Sequence, residues 1–181
     1  TTAMCESVSS FKSFLYLAVI EQGYGPDTVE VDEPVRIGNW QPENYRQNYL
    51  GPVRLETAFA LSLNTIAAKL VMLVGPERVA ATARRLGITS PLGSDASIAL
   101  GTSEVTLLEL TAAFVPFANN GYPVIPHVVT RISTRDGQLL YERHGDGYTQ
   151  AITDFDLGAL NRMMRAVVTE GTGKRAQFGA Y

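Results

Sequence analysis

Apolar residues fall along this chain in runs of helical spacing, separated by breaks rich in Gly, Pro and Asn. The run Phe14-Leu15-Tyr16-Leu17-Ala18-Val19-Ile20 predicts a buried helix over 9–20, closing near Gln22 with Gly23 as its cap. Tyr24-Gly25-Pro26-Asp27 is turn chemistry. Residues 28–37 alternate, with Val29, Val31, Val35 and Ile37 on one side, which predicts one or two short strands interrupted at Pro34. Residues 38–51 form a long loop of aromatics and amides. From Pro52 the pattern turns helical: Leu55, Ala58, Phe59 and Leu61 suit a short helix, and Ser62-Leu63-Asn64 breaks it. A strongly apolar helix follows over 65–74, ended by Gly75, and Pro76 opens another over 77–86.

In the second half, 88–99 reads as a loop around Pro91-Leu92-Gly93. A helix is predicted over 106–119 with Leu107, Leu110, Phe114 and Phe117 inward, Pro116 as a kink and Asn119-Asn120-Gly121 as its close. Asp136-Gly137 marks a hairpin between 124–133 and 138–143. The last helix covers 154–169, with Leu157, Leu160, Met164 and Val167 at helical spacing. Residues 1–8 carry no clear period, and no internal repeat stands out. The sum is an α+β chain, mostly helical.

Composition narrows the function more than the fold. At 181 residues and 45% apolar, the chain suffices for one domain with a real core, or one domain and a small lobe. A net charge of -3, with Arg84-Arg85 and Lys174-Arg175 as the only adjacent basic pairs, argues against a nucleic-acid partner. Cys5 is the single cysteine, so no internal disulfide forms. His127 and His144 lie far apart, which argues against a metal site, and nothing implies a cofactor. No apolar run is long enough to span a bilayer, and no targeting signal opens the chain, which reads as a piece of something longer.

Candidate chemistry begins at Ser9-Ser10-Phe11-Lys12. On one helix, Ser9 and Lys12 share a face, and the helix start adds unpaired N–H groups and partial positive charge. Those are the parts of an acyl-transfer site: nucleophile, base and oxyanion donors. The plainer alternative makes Ser9 or Ser10 a helix cap and Lys12 a solvated side chain. Ser62-Leu63-Asn64 offers a second hydroxyl and a carboxamide on an interhelical loop, or a cap and a turn residue. Trp40 and Tyr45 either wall a site or tuck a surface loop against the core. Gly171-Thr172-Gly173-Lys174 superficially suggests a phosphate loop. It fails, because Val168 stands where glycine is required and Arg175 follows the lysine, so it reads as a turn. Glu104 reads as a buried carboxylate or a cap with Thr102, and His127 as a loop or strand-start residue.

These residues together resemble the transpeptidase domain of class A (bifunctional) penicillin-binding proteins. The likeness runs from Ser9 to about Arg175, through Asn39-Trp40-Gln41-Pro42-Glu43-Asn44-Tyr45, Gly51-Pro52-Val53, Ser62-Leu63-Asn64-Thr65 and Gly75-Pro76-Glu77-Arg78-Val79. It continues through Leu100-Gly101-Thr102-Ser103-Glu104-Val105-Thr106, Phe117-Ala118-Asn119-Asn120-Gly121-Tyr122 and Gly171-Thr172-Gly173. The resemblance implies a helical lobe beside an antiparallel sheet. It implies a serine acyltransferase that takes peptidoglycan stem peptides and β-lactams, at the extracytoplasmic face of a bacterial membrane. Carried over, Ser9 is the nucleophile, Lys12 its base, Ser62 the proton relay toward the leaving amine, and Asn64 the holder of the substrate amide. Trp40 is assigned to substrate binding.

Three departures accompany the resemblance. The family's third motif, Lys-Thr/Ser-Gly, is absent, and Tyr181 comes roughly where its strand would begin. Glu6-Ser7-Val8 replaces the usual Gln-Pro-Gly, and Ser13 the proline after the lysine. The expectation is therefore a partial transpeptidase domain over 1–181, its sheet incomplete unless a further segment or second chain supplies strands, and poor or no β-lactam binding by the isolated chain. A catalytically inactive binding or structural module and a serine β-lactamase or sensor are the alternatives.

Overall fold

The computed structural model describes residues 4–6, 8–45, 48–145 and 147–177. Ser7, residues 46 and 47 of the long loop, and Tyr181 lie outside these. At the centre is helix α1, Lys12–Ile20, entered from a 3₁₀ turn over Val8–Phe11. Every residue of α1 is buried, the condition a helix reaches when apolar side chains surround it. Gly23, at φ +91°, closes its end by donating its N–H to the Ile20 carbonyl at 2.8 Å.

Helices pack around α1. Leu55–Ala60 is α2, Asn64–Val74 is α3, Pro76–Arg85 is α4 and Asp154–Thr169 is α6. Helices α3, α4 and α6 contact α1 directly, while α2 lies along α6. Arg162 of α6 clips that pair with forked bonds to Glu56 (3.0 and 2.9 Å) and Asp27 (2.8 and 2.9 Å). Helix α5, Leu107–Phe114, continues into a 3₁₀ turn over Val115–Phe117. Its Phe114 and Phe117 rings join Phe14 in a cluster with centroids 5.2–6.2 Å apart, Phe114 meeting both others edge-on.

Among the described residues the strands form three antiparallel pairs: β1 (Met4–Glu6) with β4 (Glu104–Thr106), β2 (Val29–Asp32) with β3 (Gly51–Arg54), and β5 (Arg131–Ser133) with β6 (Leu139–Glu142). The Asp136-Gly137 turn thus joins a hairpin, as its sequence predicts. Pro52 is a correction: it lies in β3 opposite Val31, and the helix starts only at Leu55. A two-stranded ladder is all edge, so a proline without an N–H fits there.

Helix α5 turns Leu110 and Phe114 onto the core, with Phe117 buried just beyond it, as their spacing predicts. Leu107 is the correction: it is 65% exposed, and Ala112 and Ala113 are the buried positions of the helix. Glu104 is an exposed strand residue. The cap of α5 is instead the Thr106–Glu109 box. Helix α6 keeps its predicted range, with Leu157, Leu160, Met163 and Ala166 as the buried stripe.

Candidate active site

A 3₁₀ turn has three residues per turn, so positions 9 and 12 lie above one another. Lys12 is buried while Ser9 is exposed. Lys12 Nζ donates to Ser62 Oγ at 2.7 Å, to the Ser62 carbonyl at 3.0 Å and to Asn64 Oδ1 at 2.7 Å. Ser62 Oγ in turn donates to Ser9 Oγ at 3.1 Å. Among the described residues no hydrogen bond joins Ser9 to Lys12 directly. Ser62 stands between them.

Those three donations are the bonding pattern of an ammonium. Burial opposes that charge and pushes the Lys12 pKa down from 10.5 to about 8. Roughly one molecule in ten then carries a neutral amine at pH 7, against about one in three thousand for a free lysine. A neutral Lys12 has a lone pair for a proton from Ser62, which can take one from Ser9.

The turn that presents Ser62 is built from the end of α2. Leu61, Ser62 and Leu63 donate their N–H groups back to Thr57, Phe59 and Ala58, and Leu63 is buried as the anchor. Ser62 has φ +57°, a left-handed conformation that costs a non-glycine residue about 1–2 kcal/mol. Glycine would avoid the cost but carries no hydroxyl. The Lys12 bond to the Ser62 carbonyl helps hold this conformation. Asn64, the first residue of α3, uses Oδ1 for Lys12 and Nδ2 for the Glu43 carbonyl at 2.9 Å. One Nδ2 hydrogen and one Oδ1 lone pair remain for a ligand.

Trp40 lies elsewhere. It is half-buried, closes a turn by exchanging backbone bonds with Ile37 at 2.8 and 3.0 Å, and is not among the cavity-lining residues. Tyr45 is 98% exposed. The loop residues that reach the site are Glu43, through its carbonyl, and Asn44, whose buried carboxamide bonds Asn64 N–H at 2.9 Å. Sequence reasoning passed over Asn44, although an asparagine two residues after Pro42, ahead of a helix starting with uncapped Leu63, was the available signal.

A cavity of about 320 Å³ opens beside Ser9. Ser9, Lys12 and Ser62 form its polar corner, and Phe59, Phe114, Met164 and Val167 its apolar wall. Thr172 contributes the far edge, where its N–H donates to the Ala60 carbonyl at 3.0 Å. Gly171 packs so closely there that a Cβ would sit 2.1 Å from that oxygen. The Gly171-Thr172-Gly173 stretch is a turn docked on α2. Among the described residues no group of three or more His, Cys, Asp or Glu could hold a metal, and no helix is long and apolar enough to cross a membrane.

The model of the penicillin binding protein transpeptidase domain matches residues 1–181, and the chain belongs to that family. Its relatives include penicillin-binding protein 1A of Pseudomonas aeruginosa, 36% identical over 74% of this chain, and that of Neisseria meningitidis, 33% identical over 96%. The chain spans 17% and 23% of the length of those two proteins. Among solved structures, penicillin-binding protein 1A from Haemophilus influenzae superposes with a TM-score of 0.83 at 22% identity, covering 97% of this chain and 32% of that one. The penicillin-binding protein PonA1 from Mycobacterium tuberculosis gives 0.84 at 24% identity, over 92% and 48%. These superpositions establish the penicillin-binding protein transpeptidase fold.

Proposed function

We propose that this domain carries out serine acyl transfer on peptidoglycan stem peptides, with Ser9 as nucleophile. Ser9 Oγ attacks the penultimate D-Ala carbonyl, its proton passing through Ser62 Oγ to neutral Lys12. The tetrahedral intermediate collapses with cleavage of the C–N bond. The terminal D-Ala leaves as an amine, receiving a proton back along the same path. An amine of a neighbouring stem peptide then attacks the Ser9 ester, forms the cross-link and restores the serine. A β-lactam acylates the same hydroxyl by opening its ring amide. Asn64 holds the substrate amide with its remaining Nδ2 hydrogen, and the parent protein works at the outer face of a bacterial membrane, where such stem peptides lie.

The observation that carries this reading is the unbroken set of bonds Ser9–Ser62–Lys12–Asn64, assembled from two motifs about fifty residues apart. It supports a nucleophile with a proton acceptor one hydroxyl away. The test is peptide mapping by mass spectrometry after incubation with penicillin for hours. The expected result is an adduct on the peptide carrying Ser9, lost in Ser9→Ala and slowed about 10²–10⁴-fold in Lys12→Ala. No adduct after prolonged exposure overturns the reading in favour of an inactive binding module. An adduct that forms and hydrolyses rapidly overturns it in favour of a β-lactamase.

A further inference from the structure

Helix α3 starts without a cap of its own. Leu63 stands at the N-cap, and its side chain offers nothing to the first N–H groups. The acceptor comes from the long loop before β3. Asn44 Oδ1 takes the Asn64 N–H at 2.9 Å and the Thr65 N–H at 3.3 Å. The neighbouring Glu43 carbonyl takes Asn64 Nδ2 at 2.9 Å. Adjacent residues of the loop thus grip Asn64 by its backbone and by its side chain. That leaves Asn64 Oδ1 directed at Lys12.

Asn44 is itself held in one orientation. Its Nδ2 donates to Asp32 Oδ1 at 2.8 Å and to the Asn48 carbonyl at 3.2 Å. Asp32 is 1% exposed and also accepts from the Leu50 N–H at 2.9 Å and from the Thr65 hydroxyl. Acyl transfer as set out above uses no carboxylate at this place. A buried carboxylate is costly unless its oxygens are satisfied. Here its partners point the Asn44 amide nitrogen one way and therefore its oxygen the other, toward the start of α3.

We infer that Asp32 and Asn44 are positioning residues for Asn64: Asp32 orients the Asn44 carboxamide, which caps α3 and sets Asn64 where it meets Lys12. The inference rests on the proposed role of Asn64 and Lys12, and extends that site through the loop to strand β2. A purely structural role would tie loop to strand without reaching Lys12, and the two differ in what Asn44 and Asn64 share.

The test reads Lys12 itself, by NMR titration of its side-chain carbon shifts in the folded chain and in Asn44→Ala, Asn64→Ala and the double variant. Asn64 Oδ1 bonds the ammonium, so removing it moves the Lys12 midpoint further down. Asn44→Ala is expected to move it in the same direction, and the double variant no further than Asn64→Ala alone. Penicillin labelling of Ser9, followed in parallel, is expected to slow by about 10–100-fold in Asn44→Ala. Additive shifts, an unmoved midpoint in Asn44→Ala, or an unmoved midpoint in Asn64→Ala each overturn the inference. Should Asn44→Ala fail to fold, Thr65→Val removes one hydroxyl of the network. It is expected to shift the midpoint the same way by less, and a folded Thr65→Val with the wild-type midpoint counts against the inference. Absence of labelling in the wild-type chain overturns the acyl-transfer reading instead, while the titration still decides the positioning.

Discussion

Lys12 is charged in its bonding pattern and poised to be neutral in its surroundings, and that conflict has a measurable sign. Its pKa in the fold, about 8, lies below the ordinary 10.5, because burial disfavours the ammonium. Acylation of Ser9 should therefore climb with pH and level off above about 8, as the neutral amine accumulates. Stability shows the same linkage. Between about 8 and 10.5 the unfolded chain holds the Lys12 proton that the folded chain has released. Unfolding free energy then rises with pH through that window from this group, and denaturant titrations at pH 8 and 10 compared with Lys12→Met isolate it. A wild-type chain whose difference between those pH values matches that of Lys12→Met would contradict the assignment. Tyr16 offers a simpler case: its hydroxyl is fully buried with no hydrogen-bond partner among the described residues. Tyr16→Phe should leave Tm unchanged or raise it, since an unsatisfied buried hydroxyl contributes only its desolvation cost. That Ser9, Lys12, Ser62 and Asn64 belong together was legible from the family resemblance of their two motifs, since spacing alone left each open as a cap, a turn or a solvated residue. Asp32 and Asn44 were not, because a polar residue in a short strand or a loop reads by default as solvated.

At the scale of elements, legibility followed the length of the pattern. The core helices α1, α3, α4 and α6 announce themselves by long apolar periods and by Gly and Pro at their ends. Where the pattern was short, competing forces decided. Pro52 joined a strand because Val31 lies opposite it in β2, with its neighbours Gly51 and Val53 paired to Asp32 and Glu30. The start of α5 depended on a carboxylate that spacing does not reveal. Glu109 accepts from the N–H and hydroxyl groups of Ser90 (2.9 and 2.6 Å) and Thr106 (3.1 and 2.9 Å), and from both groups of Thr89. Burial alone would raise its pKa, but the hydrogen bonds from Ser90, Thr89 and Thr106 outweigh it and hold the carboxyl well below its usual range. A depressed carboxylate contributes stability above the ordinary value of 4.5, and that contribution fades as pH falls below it. Glu109→Gln should cost about 1 kcal/mol at pH 7, the value of a helix cap. The difference from wild type should shrink at pH 3. Equal differences at both pH values in urea unfolding would show that the charge is not what matters.

For the whole molecule, the site depends on elements from both ends of the chain meeting at one carbonyl. Ala60 ends α2 just ahead of Ser62, and its oxygen accepts from Thr172 after the end of α6. The sequence marks Gly171-Thr172-Gly173 as a turn, since glycine after a helix is local chemistry. That the turn docks on α2 is a long-range packing fact with no local signature. The packing explains why residue 171 is glycine: a Cβ there would meet backbone atoms of Ala60 at 2.1 and 2.7 Å, and no side-chain rotation relieves that. At Gly173 the nearest atoms are a Val167 methyl group at 3.1 Å and the Val167 carbonyl oxygen at 3.2 Å, tight contacts but not the overlap met at residue 171. Gly171→Ala should therefore cost about 1–3 kcal/mol, as overpacking does, and Gly173→Ala less. Because Met164 and Val167 line the Ser9 cavity from the same helix end, forcing α6 off α2 also opens the apolar wall. Penicillin labelling should then slow in Gly171→Ala more than in Gly173→Ala. The reverse order in either urea unfolding or labelling would mean that the turn does not brace the Ser62 corner.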